Sequence, residues 1–124
     1  MPSALSALVR KLGKVAAADG EAEATMRLQR NASSAFDALV RRLDAVYARR
    51  ATEAPTDFKE RIDFWHSRCG MPAALHSGLQ RLRVWRNASE HHDAQRWRAE
   101  GPSSEDEFMA LTSATDRDVH RLEQ

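Results

Sequence analysis

The sequence predicts an all-α protein, a four- or five-helix bundle, and three observations carry that reading. Apolar residues recur in steps of three and four over long segments, which keeps one side of each helix apolar. No stretch of useful length alternates apolar with polar residues, and no Asn-Gly or Asp-Gly pair sits between apolar runs as a hairpin would need. The periodic segments are also bounded by residues that start or stop helices.

In order along the chain, Leu5, Leu8, Val9, Leu12 and Val15 share one face of a short first helix, and Asp19-Gly20 is expected to break it. A long helix from about Glu21 to Arg50 follows, with the stripe Leu28, Ala32, Phe36, Leu39, Leu43 and Val46. Ala54-Pro55 ends that region, and Thr56-Asp57 offers an N-cap for a shorter helix that buries Phe58, Ile62, Trp65 and Cys69. Gly70 stops it. Pro72 suits the first turn of a second long helix, with Leu75, Leu79 and Leu82 inward, which reaches about Ala99 before Gly101-Pro102. Ser103 or Ser104, followed by Glu105, Asp106 and Glu107, marks a capped start whose acids match the helix dipole. The last helix would bury Phe108, Leu111, Thr115, Val119 and Leu122.

Residues 1–124 fit a single compact domain, long enough to build a core without metal or disulfide staples. The lone cysteine, Cys69, excludes an internal disulfide and reads as a core filler in a reducing, cytoplasmic setting. The apolar runs at the amino terminus are short and interrupted by Arg10, Lys11 and Lys14, so neither a signal sequence nor a membrane partner is expected.

Charge is unevenly distributed although the formal net charge is only +1. Arg81, Arg83, Arg86, Arg96 and Arg98 make the middle basic, and an acidic tail begins at Glu100. Arginine suits bidentate contact with phosphate, so Arg81, Arg83, Arg96 and Arg98 are candidate RNA-binding residues; an Ala- and Arg-rich coding bias explains the same counts. Trp85 and Trp97 could stack on bases, or serve as core or dimer contacts.

The tetrapeptide Arg-Asn-Ala-Ser occurs twice, at 30–33 and at 86–89, and only the second copy continues into Glu90-His91-His92-Asp93. A shift of 56 positions also aligns Arg27 with Arg83 and Asp37 with Asp93, but the large core residues do not align, which favours coincidence over a repeat. The first copy reads as a solvated helix edge. In the second, Arg86 continues the line Leu75, Leu79, Leu82, which turns a guanidinium toward the bundle or an interface, where it needs a partner.

The segment Leu79-Gln80-Arg81-Leu82-Arg83-Val84-Trp85-Arg86-Asn87-Ala88-Ser89-Glu90-His91 resembles the signature of the HEPN superfamily: an Arg, a polar residue after it, then a His, late in a long helix of an all-α bundle. Arg86, Asn87 and His91 match it, and His92 also lies within the allowed spacing. The resemblance covers about twenty residues. It implies a homodimer whose motif helices form a cleft, and in many members a metal-independent endoribonuclease; other members are catalytically silent bundles that bind nucleotides or proteins. An antitoxin-like protein is a further class of partner.

The candidate catalytic residues are therefore Arg86, Asn87, His91 and His92. Attack by the 2′-hydroxyl of RNA needs proton carriers, for which histidine is suited, and positive charge beside the phosphate, for which guanidinium is suited. Asn87 could orient substrate or imidazole. Residues five apart on a regular helix differ by about 140°, so Arg86 and His91 do not share a face; a distorted helix or a site composed from two chains is required. Two plainer readings remain open: an Arg86 to Glu90 ion pair at i,i+4, and solvated histidines. No cofactor is expected, and Glu90, His91, His92 and Asp93 form a poor metal site, since adjacent histidines diverge on a helix.

Overall fold

In a computed structural model the backbone is described for residues 4–90 and 94–124, and the side chains for 22–90 and 94–124. The chain is all-helical: α1 (Ala4–Val46), a 3-10 helix (Ala48–Glu53), α2 (Phe58–Cys69), α3 (Ala73–Glu90), α4 (Ala94–Glu100) and α5 (Glu105–Leu122). The expected bundle is present.

Two expected boundaries are not. No break occurs at Asp19-Gly20, where α1 is continuous. A glycine inside a helix costs only about 1 kcal/mol relative to alanine and stops the helix only where it turns left-handed. Among the described glycines Gly70 alone has a positive φ, 77°. The α-helix ends at Val46 rather than Arg50, because residues 48–53 tighten into the 3-10 turn. There Arg50 binds Glu53 and the Arg68 carbonyl. The second long helix, expected to reach Ala99, is described as α3 and α4, and the residues between them, His91, His92 and Asp93, lie outside the described residues.

The caps follow the sequence closely. Asp57 accepts from the Glu60 N–H at 3.1 Å, and Gly70 closes α2 in the left-handed conformation. Of the two candidate serines, Ser104 is the cap of α5: it accepts from the Glu107 N–H at 3.1 Å, while the Glu107 carboxylate accepts from Ser103.

α3 is the central helix, packed against α1, α2, α4 and α5. Asp37 meets Arg86 and Ser33 meets Glu90, so α1 and α3 run antiparallel. Gly78 meets Thr115 and Arg81 meets Glu107, so α5 is antiparallel to α3 as well. The core joins Phe36, Leu39, Val40 and Leu43 of α1, Ile62 and Trp65 of α2, Leu75, Leu79, Leu82 and Trp85 of α3, and Phe108 and Val119 of α5. Leu28, Phe58, Cys69, Leu111 and Leu122 pack around it, half-buried.

Gly78 lets α3 and α5 approach. A Cβ there would stand 2.8 Å from the Thr115 Oγ1, which already donates to the Leu111 carbonyl at 2.7 Å. Gly78→Val is therefore expected to force the helices apart, at a cost of about 1–3 kcal/mol, read as a lower urea midpoint. An unchanged midpoint would show that the contact gives way freely.

Candidate functional site

Arg86 turns inward, as its place in the leucine line predicts, and its partner belongs to the same chain. The Arg86 Nε donates to the Asp37 Oδ1 at 3.0 Å, and the side chain retains 21% of its exposure. Its guanidinium lies over the rings of Phe58 at 5.0 Å and Phe36 at 5.9 Å. Those two rings meet edge to face at 5.2 Å, which ties α1 to the start of α2. The i,i+4 neighbour Glu90 stands 3.8 Å from the Arg86 Nη2. Asp37 holds the guanidinium from one edge, and each aromatic face adds about 0.5–2 kcal/mol of attraction.

Beside Arg86, the Asn87 side chain is half-buried and makes no hydrogen bond among the described residues. Ser89 donates to the Arg86 carbonyl at 2.6 Å, and Ser33 donates to the Glu90 carboxylate at 3.0 Å. A cavity of about 480 Å³ opens at the end of α3 beyond them, lined by Met26, Gln29, Arg30, Ser33, Ser89 and Glu90 and not by Arg86 or Asn87. His91 and His92, the candidate proton carriers, lie outside the described residues.

The two Arg-Asn-Ala-Ser copies meet in space. Ala32 and Ala88 are both fully buried, and Ser33 of the first copy binds the residue that follows the second. The first copy is thus more than a solvated edge: Arg30 and Asn31 are exposed, but Ala32 is core. Small residues at both positions let α1 and α3 come close.

The four candidate RNA-binding arginines do not converge. Arg81 pairs with Glu107 at 3.2 Å and covers Trp85; Arg96 pairs with Glu100 at 2.9 Å; Arg98 is exposed beside Trp97 on another side of the bundle. Arg83 donates through its Nε to the Gln80 Oε1 at 2.7 Å. Trp85 and Trp97 are buried, so both are core residues without a free face for a base.

One cluster escaped the sequence reading. Asp63 of α2 accepts from the His76 Nε2 at 2.7 Å and the Gln80 Nε2 at 3.0 Å, both on α3. His66 stacks on His76 at 4.4 Å, and its Nδ1 bonds the Met71 carbonyl at 2.7 Å. The signal was present as Asp63 and His66 at i,i+3 opposite His76 and Gln80 at i,i+4, but it becomes visible only once α2 and α3 are known to pack.

The bond from His76 holds the Asp63 carboxyl below its ordinary range, the Ser103 hydroxyl does the same for Glu107, and Arg42 does so for Glu123. A carboxyl that ionises more readily folded than unfolded stabilises the fold above its unfolded pKa, and loses that contribution as pH falls through the lower folded value. The unfolded values are 3.8 for Asp and 4.5 for Glu, so these pairs should hold through pH 5 and weaken below about pH 4.5. Thermal melts in acid should show the midpoint falling across that window; a midpoint that rises there would contradict these ties.

Among the described residues no group of three or more His, Cys, Asp or Glu side chains is placed to hold a metal ion, and no helix is long and apolar enough to cross a membrane. Fold and site define an all-α bundle with a half-buried arginine on its central helix. The chain matches no family model, no curated protein and no solved structure.

Proposed function

We propose that this is a HEPN-like helical bundle that cleaves RNA without a metal, by attack of the 2′-hydroxyl on the adjacent phosphate. The observation that supports this most is the hold on Arg86. Its Nε is bound by Asp37 and its plane rests on Phe58, while Nη1 has no partner among the described residues and Nη2 has only Glu90, at 3.8 Å. A guanidinium fixed by one edge is preorganised, and its terminal N–H groups can meet a phosphate oxygen with little reorganisation.

In this reading an imidazole of His91 or His92 takes the 2′-hydroxyl proton as the oxygen bonds to phosphorus. Arg86 offsets the negative charge that builds on the phosphate oxygens. The bond from phosphorus to the 5′-oxygen breaks, and that oxygen takes a proton from a second imidazole, which leaves a 2′,3′-cyclic phosphate and a 5′-hydroxyl. Asn87, whose side chain makes no hydrogen bond among the described residues, orients the substrate. A second copy of the chain, related by a two-fold axis, completes the site. α3 is packed against α1, α2 and α5, with α2 against His76 and Gln80 in its first half, so a second copy would approach at the other end, near Glu90 and α4.

A second reading, a non-catalytic bundle that binds nucleotides or a protein, draws on the same contacts. Asp37 and Glu90 carry two negative charges beside one guanidinium, and an incoming phosphate has to overcome that balance. RNA incubated with the protein in excess chelator separates the two. Cleavage that survives chelation and is lost in His91→Ala or His92→Ala supports the enzyme and identifies the acting histidine. Cleavage lost on chelation contradicts the mechanism, and none on any RNA moves the assignment to the binding bundle. Sedimentation at micromolar concentration is expected to show a dimer; monomer alone would remove the composite site.

A further inference from the structure

We propose that Arg83 is a second phosphate-binding guanidinium for the RNA strand, one helical turn before Arg86, and that Gln80, Asp63 and His76 are the residues that position it. This rests on the RNA-cleaving reading above, and adds to it the place where the strand is held.

The argument begins with Gln80, whose amide can face only one way. Its Nε2 donates to the Asp63 Oδ1 at 3.0 Å and to the Lys59 carbonyl at 3.2 Å, which leaves its Oε1 to accept from the Arg83 Nε at 2.7 Å. Asp63 is fixed in turn by the His76 Nε2 at 2.7 Å, and His76 stacks on His66, itself bound to the Met71 carbonyl. The relay runs from the end of α2 to the guanidinium on α3, and each member is held on two sides.

Two consequences set Arg83 apart from the other candidate arginines. Its anchor is a neutral amide, so Arg83 keeps its full positive charge, whereas Arg81, Arg86 and Arg96 each face a carboxylate. Neither of its Nη groups has a hydrogen bond or ion pair among the described residues. Arg98 is also uncompensated there, but nothing fixes its guanidinium. Residues three apart on a helix have Cβ atoms about 5–6 Å from each other, so Arg83 and Arg86 offer two neighbouring forks along one edge of α3. A cavity of about 500 Å³ adjoins Arg83, lined also by His76, Ser77, Arg81 and Glu100, whose carboxylate is already paired with Arg96, and it has room for a nucleotide unit beside the phosphate.

The test is fluorescence anisotropy of a labelled ten-nucleotide single-stranded RNA in excess chelator, its 2′-hydroxyls methylated so that it binds without being cut, with circular dichroism to confirm helix content. Arg83→Gln is expected to weaken binding about tenfold, the loss of one charged hydrogen-bonding group, and to lower the salt slope by about 0.7. Gln80→Leu keeps the charge but not the tie, so affinity should fall several-fold with the slope unchanged. Arg83→Lys should likewise restore the slope but not the affinity. If wild type binds RNA and Arg86→Ala weakens that binding, while Arg83→Gln and Gln80→Leu bind as wild type, the inference is overturned and the RNA reading stands. If wild type binds no RNA, both fall.

Discussion

Arg86→Ala is expected to lower the rate of RNA cleavage by a hundred- to a thousand-fold while the helices remain. Removing one preorganised charged donor from a site where negative charge develops has effects of that size, far above assay noise. The substitution also breaks the bond to Asp37 and uncovers Phe58 and Phe36, so a modest loss of stability, about 1–2 kcal/mol, should accompany it. Asp37→Ala provides the comparison: it removes the acceptor at the Nε edge but keeps the guanidinium, so it should soften the fold by a similar amount and retain much more of the rate. If both variants cleave equally and differ from wild type only in stability, Arg86 is a structural tie.

The second large effect is on the fold. Leu79→Ala should cost about 2–5 kcal/mol, since Leu79 is fully buried in the helix that all four other α-helices contact. A cavity there loosens several interfaces together, so the urea midpoint should fall with little change in slope. A loss below about 1 kcal/mol would mean that the neighbours collapse into the space, and would argue against α3 as the centre of the bundle.

α2 and α5 were the most legible helices because both are marked twice, by apolar spacing and by a cap. Asp57 and Ser104 cap α2 and α5, and Gly70 ends α2 in the left-handed conformation that it alone adopts among the described glycines. Gly20 misled because glycine weakens a helix without obliging it to stop. The inward turn of Arg86 was legible from the line through Leu75, Leu79 and Leu82, but its partner was not, since Asp37 lies 49 positions away and is brought near only by the antiparallel crossing of α1 and α3. The same limit hid the Asp63, His66 and His76 cluster, whose members sit on two helices. Arginines close in sequence have different anchors, which spacing alone does not reveal: Arg81 pairs with Glu107 of α5, Arg83 is held by Gln80 of α3 itself, and Arg86 by Asp37 of α1.

The most direct measurement is the chemistry of the ends left on RNA by the wild-type protein in excess chelator. Attack by the 2′-hydroxyl predicts a 2′,3′-cyclic phosphate on one fragment and a 5′-hydroxyl on the other, seen by mass spectrometry. Fragments that carry a 3′-hydroxyl and a 5′-phosphate would mean that water attacked the phosphate instead, and would contradict the mechanism built on Arg86.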